Sequence, residues 1–512
     1  MMRIAIGVFI LLILNLEGLF AQSRVLPIAS YFRDQSISVH PHTPVFPQEN
    51  ADINLYMTLA DSTNRYSTFG YVLYNKELIE LHKKEGSLWI SPLLDVQLGK
   101  GLNDTLGRRM QNTRGVRMEG VLGKSVFFST SFYENQAVFA PYLHNYALSR
   151  GELYPLIDST YQQQNGVIPG AARTKYFKTE GLDYAFAVGM LRWQVNKNLN
   201  VYWGNQPVFL GSGYRSLFWS DNSLPGMNLR VHYKLGKRWD FQMVRMRGQN
   251  LLRRPQTTNV EAFYETKSLS LSSIYFHPSP KSGIGIVETG TWYRGDSLQK
   301  TPVQATYFIP IPGASVLQEA ISEKAYSMIG LDAYFGLRSL YFYGQIGMNP
   351  MRSNSLFYQA GVRFHHPRFP LSFIQLEYNH TDKQAYVASN PRMHATNGNL
   401  PLAHPMGSGV DELVFRMHAD WKHVFLNVQA NFYLKQNANY QHLLPLYTNQ
   451  DYINQQVLFQ QVELGYRFNR AYVFDLFVRQ QYRQTTMGDS ETKNTWISAG
   501  IRTQLTNLYS DF

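Results

Sequence analysis

The chain of 512 residues contains no cysteine. A disulfide framework, a thiolate metal site and an acylated-cysteine anchor are therefore closed to it. Beyond its N-terminus it has no apolar run approaching the roughly 20 residues a membrane-spanning helix needs. Charge is sparse, at 16% of residues, and carboxylates are outnumbered 36 to 48, for a formal net charge of +12. What is plentiful is aromatic: 34 Tyr and 31 Phe. High tyrosine with a mildly polar average suits a membrane β-barrel, in which aromatic girdles mark both interfaces and polar groups face the lumen; a soluble sandwich fits the same composition.

The one long apolar run stands at the N-terminus. Arg3 supplies a positive flank, Ile4 to Leu16 an apolar core, and Leu19-Phe20-Ala21 a small-residue cleavage site before Gln22. This is the pattern of a secretory signal over 1–21, and the run is too short for a spanning anchor. The segment carries one cation, Arg3, and one anion, Glu17, so the exported chain is expected to keep its +12. A basic exported surface selects lipopolysaccharide or acidic surface polysaccharide as partner, not nucleic acid.

From residue 88 onward the apolar residues alternate. Leu413, Phe415, Met417, Ala419 and Trp421 interleave with Val414, Arg416, His418 and Asp420; after Lys422-His423, Val424, Leu426, Val428, Ala430 and Phe432 interleave with Phe425, Asn427, Gln429 and Asn431. Period two means strands with an apolar and a polar face. The pattern predicts about eighteen of them: 88–98, 111–121, 125–135, 182–191, 198–206, 228–235, 239–247, 266–276, 283–293, 325–335, 339–347, 357–364, 372–380, 412–421, 424–435, 458–468, 472–483 and 494–504. Tight connections such as Gly123-Lys124 and Gly236-Lys237-Arg238 alternate with long ones (136–181, 207–227, 294–324, 381–411 and 436–457). Short turns on one side and long loops on the other predict an all-β, antiparallel transmembrane barrel over 88–512. An even strand count then puts both termini in the periplasm and the long loops outside a Gram-negative outer membrane. Phe512 reads as a terminal aromatic of barrel-insertion type. Two strands fit less well: Pro92 interrupts the first, and Arg245 and Arg247 share a face with Trp239, Phe241 and Met243, which suggests rim positions reaching headgroups.

Residues 22–87 read as a small helical or irregular periplasmic or plug segment. Prolines 41, 44 and 47 break it, and Lys76 to Lys84 places carboxylates before lysines at helical spacing.

Two loop motifs carry the functional signal: Gly211-Ser212-Gly213-Tyr214-Arg215-Ser216-Leu217-Phe218-Trp219-Ser220-Asp221-Asn222, and Asn399 to Gly407 containing His404-Pro405-Met406-Gly407, followed by Asp411-Glu412. At these residues the chain resembles the Wzi capsule-assembly family, and more closely its RemB gliding-motility branch. It departs at Ser408-Gly409, where the family more often reads Pro-Asn. The resemblance implies an eighteen-stranded outer-membrane barrel with a helical N-terminal element, acting as a lectin for exported polysaccharide. Read from the residues alone, glycines allow close backbone approach, and Arg215, Trp219, Asp221 and Asn222, with His404 and Asp411 nearby, are the types that hold sugars and sugar acids. The bland reading, compatible with the first, folds the loop into the lumen with Arg215 paired to an inner-wall carboxylate. The His404, Asp411, Glu412 spacing matches no zinc pattern, and Gly211-Ser212-Gly213 is no nucleophile elbow. The expectation is a non-enzymatic barrel with no cofactor and no metal. It binds surface polysaccharide, with motility or secretion proteins as further partners; a passive or selective pore is the alternative.

Overall fold

Lipid offers backbone amides no partner, so a sheet that crosses it must close on itself. A computed structural model of the protein describes residues 34, 70, 77–103, 107–155, 161–171, 173–178, 180–253, 264–295, 300–436, 454–469, 472–503 and 508–512. The signal segment and nearly all of 22–76 lie outside them. The wall strands are β1 (Gly86–Gly101), β2 (Arg108–Leu122), β3 (Val126–Val138), β4 (Gly181–Asn196), β5 (Leu199–Gly204), β6 (Asn228–Leu235), β7 (Trp239–Arg253), β8 (Tyr264–Ser279), β9 (Ser282–Trp292), β10 (Ala325–Leu337), β11 (Leu340–Met348), β12 (Phe357–His366), β13 (Phe369–Thr381), β14 (Val410–Trp421), β15 (Val424–Lys435), β16 (Gln455–Asn469), β17 (Phe474–Met487) and β18 (Ser490–Arg502). Each pairs antiparallel with the next, and β18 closes on β1, with Arg502 opposite Asp95 and Trp496 opposite Gly101. The eighteen expected strands are all present and the barrel is closed.

The turns follow from sequence. Gly123 and Gly236 take φ of 62° and 78° at tight connections, a conformation that costs glycine nothing. All tight turns but Gly488-Asp489, between β17 and β18, gather at one end of the barrel, here the short-turn end. Outer faces are apolar: Leu413, Phe432, Val462, Leu464, Leu476 and Val478 are exposed, with Trp239 and Trp421 near the short-turn end and Trp203 toward the other. Pro92 costs no ladder bond to β18. It lies between Ile90, which pairs with Ile79, and Asp95, where β18 begins to pair.

Two expectations fail. The helix expected over 76–84 is a strand, Ile79–Lys83, hairpin-paired to Gly86–Ile90. Helical charge pairs contribute only about 0.2–0.5 kcal/mol each, and so short a helix does not sustain itself; an unpaired strand edge on β1 competes better. Phe512 does not end a wall strand. β18 stops at Arg502, and Phe512 lies inside the lumen, its ring 4.6 Å from that of Tyr146. From the N-terminal segment Asp34 is described, and it too lies inside, paired with Arg363 of β12 and Arg416 of β14.

Candidate functional site

The lumen is filled by chain from the long-loop end. The connection between β5 and β6 (205–227) and that between β13 and β14 (382–409) run through it, joined by helix α1 (Pro141–Ser149) and by 508–512. Wall and loop meet in an apolar core in which Leu210, Leu217, Phe218 and Trp219 pack on Val244, Leu271 and Phe357. The two loops are stitched together: Ser220 N donates to Leu402 O, Tyr386 OH to Leu217 O, and Asn222 Nδ2 to Pro401 O. Tyr146 of α1 donates to Pro405 O. Gly211 and Gly213 permit the approach, since a Cβ on Gly213 would stand 2.6 Å from Gln359 Oε1 of the wall.

Arg215 is the centre of this plug. Its Nε and Nη2 donate to Glu412 of β14 at 3.1 and 2.8 Å, and its Nη1 and Nη2 to Asp511 at 3.3 and 3.0 Å. Two two-point grips on carboxylates hold the guanidinium, which also lies against the rings of Tyr214 and Tyr509. Burial alone would lower its pKa, but Asp511 and Glu412 outweigh burial and push it well above the usual arginine value, so it is charged. The backbone N–H groups of Tyr214 and Arg215 both donate to Glu377 of β13. Asn379 and Asn431 donate to Glu412 from either side. Met406 N–H donates to His404 Nδ1, so the ring proton sits on Nε2 and is given to Glu412 at 2.9 Å.

The structure thus joins Arg215 and His404 on one carboxylate, Glu412, and realises the reading in which Arg215 pairs with the inner wall. Trp219 is buried in the apolar core. Asp221 accepts from Tyr509 OH at 2.6 Å, and Asn222 is buried against 401 and 170. None of these five presents a surface to a ligand arriving from the long-loop end; burial makes them the frame of the plug and not its outer face. Asp411 is not with them. Successive strand residues point to opposite faces, so Glu412 faces the lumen while Asp411 faces outward, accepting from Tyr378 OH and bonded to His380. Among the described residues no group of three or more His, Cys, Asp or Glu side chains is set to hold a metal.

Sequence reasoning missed Glu377, which alternates with Leu376 and Tyr378, and Asn379, and it set Asn431 on the polar face of its strand without joining it to Glu412. Asp511 and Tyr509 carried no signal. At the long-loop end Glu152 is enclosed by Arg253, Arg173, Tyr264 and Asn165. There Arg173 lies over the Tyr264 ring, and farther along the short strand Arg173–Phe177 Lys175 and Tyr176 are exposed on its two faces, as is Lys178 just beyond it. Next to the plug a cavity of about 370 Å³ remains along β14–β18, β1 and β2; on its walls Arg479 and Arg502 pair with Glu463, Arg467 with Asp475, and Arg416 with Asp34.

A closed barrel, greasy outside and polar within, is the architecture of Gram-negative outer-membrane proteins. Among solved structures the chain is similar to Wzi of Escherichia coli, an outer-membrane protein involved in group 1 capsule assembly and a carbohydrate-binding β-barrel. The identity is 13%, over 95% of this chain and 100% of that one, with a TM-score of 0.53. It also aligns with OprD of Pseudomonas aeruginosa (10% identity, 84% of this chain and 99% of that one, TM-score 0.41) and OccAB2 of Acinetobacter baumannii (10%, 82% and 97%, 0.42). No protein-family model matches the chain, and no curated protein matches it. The Wzi likeness establishes the fold.

Proposed function

We propose that the protein is a non-enzymatic, plugged outer-membrane barrel that holds anionic surface polysaccharide at its long-loop end, with that end outside the cell and the short-turn end toward the periplasm. The observation that carries this is the Arg215 clamp. It fastens the loop between β5 and β6 to a wall carboxylate and to 508–512, which is the construction of a fixed platform. The basic and aromatic residues on top, Arg173, Lys175, Tyr176 and Lys178, suit sugar acids, with cations for carboxylates and a ring for the C–H face. Arg215, Trp219, Asp221, Asn222 and His404 serve as the frame beneath. The motif resemblance and the likeness to a carbohydrate-binding barrel support the same reading, in capsule attachment or in adhesion during gliding. The gliding-motility branch rests on the motifs alone.

The pore alternative draws on the charged cavity beside the plug. Two measurements separate the readings. Detergent-solubilised protein is expected to retain a purified acidic capsule glycan, and an Arg173→Ala, Lys175→Ala, Tyr176→Ala variant to lose it. Equal retention by both, together with steady single-channel conductance of the wild type in planar bilayers, would sink the platform reading in favour of the pore.

A further inference from the structure

The outer wall is not apolar everywhere. On β7–β10, over the half nearer the long loops, polarity is inverted. Val244, Met246, Leu269, Leu271, Val287 and Met328 point inward to the plug, while Arg245, Ser270, Ser272, Glu288 and Ser327 point outward. By strand register Glu288 stands level with Ile329 and with Met348 of β11, whose side chain is 44% exposed on the lipid-facing side. An uncovered arginine on a barrel's lipid face is unfavourable in proportion to its depth, and a glutamate less so, so both need cover there.

They are covered by the chain itself. The segment 301–322, between β9 and β10, folds back over the outside of the wall. Arg245 donates to Tyr307 O and Ile309 O, both at 2.6 Å. Glu288 accepts from the Ser315 and Val316 N–H groups at the start of helix α2 (Ala314–Ser322). Glu319 of α2 accepts from Ser327 and from Asn349. Helix α2 is thereby reversed relative to a soluble surface helix: it buries Ser315, Gln318 and Glu319 and exposes Leu317 (50%) and Ile321 (68%). Phe308 (67%), Ile309 and Ile311 extend the same exposed apolar face. Between Lys300 and Glu323, the buried Glu319 is the one Asp, Glu, Lys, Arg or His.

We infer that 301–322 is a lipid-facing flap, seated on the wall within the bilayer, with acyl chains as the occupant of its apolar face. Three observations select lipid. The face is continuous with the exposed band of Ile284, Ile286, Leu331 and Met348. The carbonyls of Tyr307 and Ile309, the N–H groups of Ser315 and Val316 and the Glu319 carboxylate are turned inward and bonded to the wall, and Gln318 bonds Thr306 and Ser322 within the segment, which keeps these groups from hydrocarbon. Charge is absent from its outer side. The flap thus lets the inner wall become apolar, where it grips the plug, without leaving a polar outer wall in lipid.

The absence of cysteine makes the test direct. Single cysteines replace Leu317 and Ile321, with Ile286→Cys as a lipid-facing control and Glu323→Cys as an aqueous one. Each full-length variant carries an environment-sensitive fluorophore and is reconstituted in phosphatidylcholine vesicles, after heat-modifiable gel migration has verified a folded barrel. Doxyl-labelled lipid is expected to remove fluorescence at 317 and 321 to the extent seen at 286, and aqueous iodide to quench 323 alone. Iodide quenching at 317 and 321 equal to that at 323 would overturn the inference, leaving the face in water and open to a protein partner instead.

Discussion

Replacing Arg215 with alanine should release the plug and spare the wall. The guanidinium is wholly buried and answers two carboxylates, Glu412 and Asp511, with four hydrogen bonds. In its absence Glu412 keeps His404, Asn379 and Asn431 as donors, and Asp511 keeps Tyr214, Gln429 and Asn431. Their hydrogen bonding survives in part, but their counter-charge does not. Breaking one side of a buried pair costs about 3–5 kcal/mol, and no solvent screening reduces it here. At about 1.4 kcal/mol per factor of ten, the closed arrangement is disfavoured by roughly two to three and a half powers of ten. The wall ladder involves none of these bonds, so the barrel should still migrate as a folded, heat-modifiable species. Hydrogen exchange on the reconstituted protein should show protection lost across 205–227 and 382–409 and kept across β14–β18. Arg215→Lys retains charge without the two-point grip and should fall between. Arg215→Met with Glu412→Gln removes both charges of that pair and should recover part of the loss. Wild-type protection of both loops in Arg215→Ala would refute the clamp.

Asp511→Asn keeps the side-chain size but removes one of the two carboxylates, so exchange in 205–227 should rise by less than in Arg215→Ala. An unchanged profile would mean that 508–512 is not part of the clamp. Gly213→Ala sets a Cβ 2.7 Å from the Arg215 carbonyl, which cannot yield as the Gln359 side chain can; a cost of roughly 1–3 kcal/mol should appear as faster proteolysis of the loop. Burial raises the Glu152 pKa, but hydrogen bonds from Tyr264 and Asn165 and the charge of Arg173 outweigh it and bring it from 4.5 down to about 2. The stabilisation is complete above 4.5 and is lost as pH falls toward 2, so protection of 161–177 should decline across that window, and Glu152→Gln should flatten the decline.

The barrel was legible because its physics is local. Each strand declares itself by alternation, and a tight turn by a residue such as Gly236 that accepts positive φ. The plug was legible only as residue types. Arg215 and Glu412 were both visible, but their meeting depends on where a loop enters a closed cylinder, and period two carries no such information. Asp411 shows the same limit from the other side. One residue from Glu412 in sequence, it stands on the opposite face of the wall, and proximity along the chain had joined it wrongly to His404. The helix expected at 76–84 failed because a weak local preference met an available strand edge.

Alternation also holds a signal that a strand count overlooks. On β7 the apolar stripe runs Trp239, Phe241, Met243 and then shifts phase to Val244, Met246. On β9 it runs Ile284, Ile286 and then shifts to Val287. β8 shifts between Leu271 and Ile274, and β10 between Met328 and Ile329. In the register Met243 faces Ser272, Ser273 faces Val287, and Ile329 faces Glu288, so the four shifts fall along one line across the sheet. A single shift is a blemish in a pattern, and Arg245 read alone suggested a snorkelling rim arginine. Four aligned shifts mean that beyond that line the outer wall meets something other than hydrocarbon. The charge-poor stretch 301–322 follows β9 directly and supplies that cover. A wall that changes its apolar face along a line, followed in sequence by a loop nearly free of charge, is therefore a readable mark of a barrel that covers part of its own outer surface.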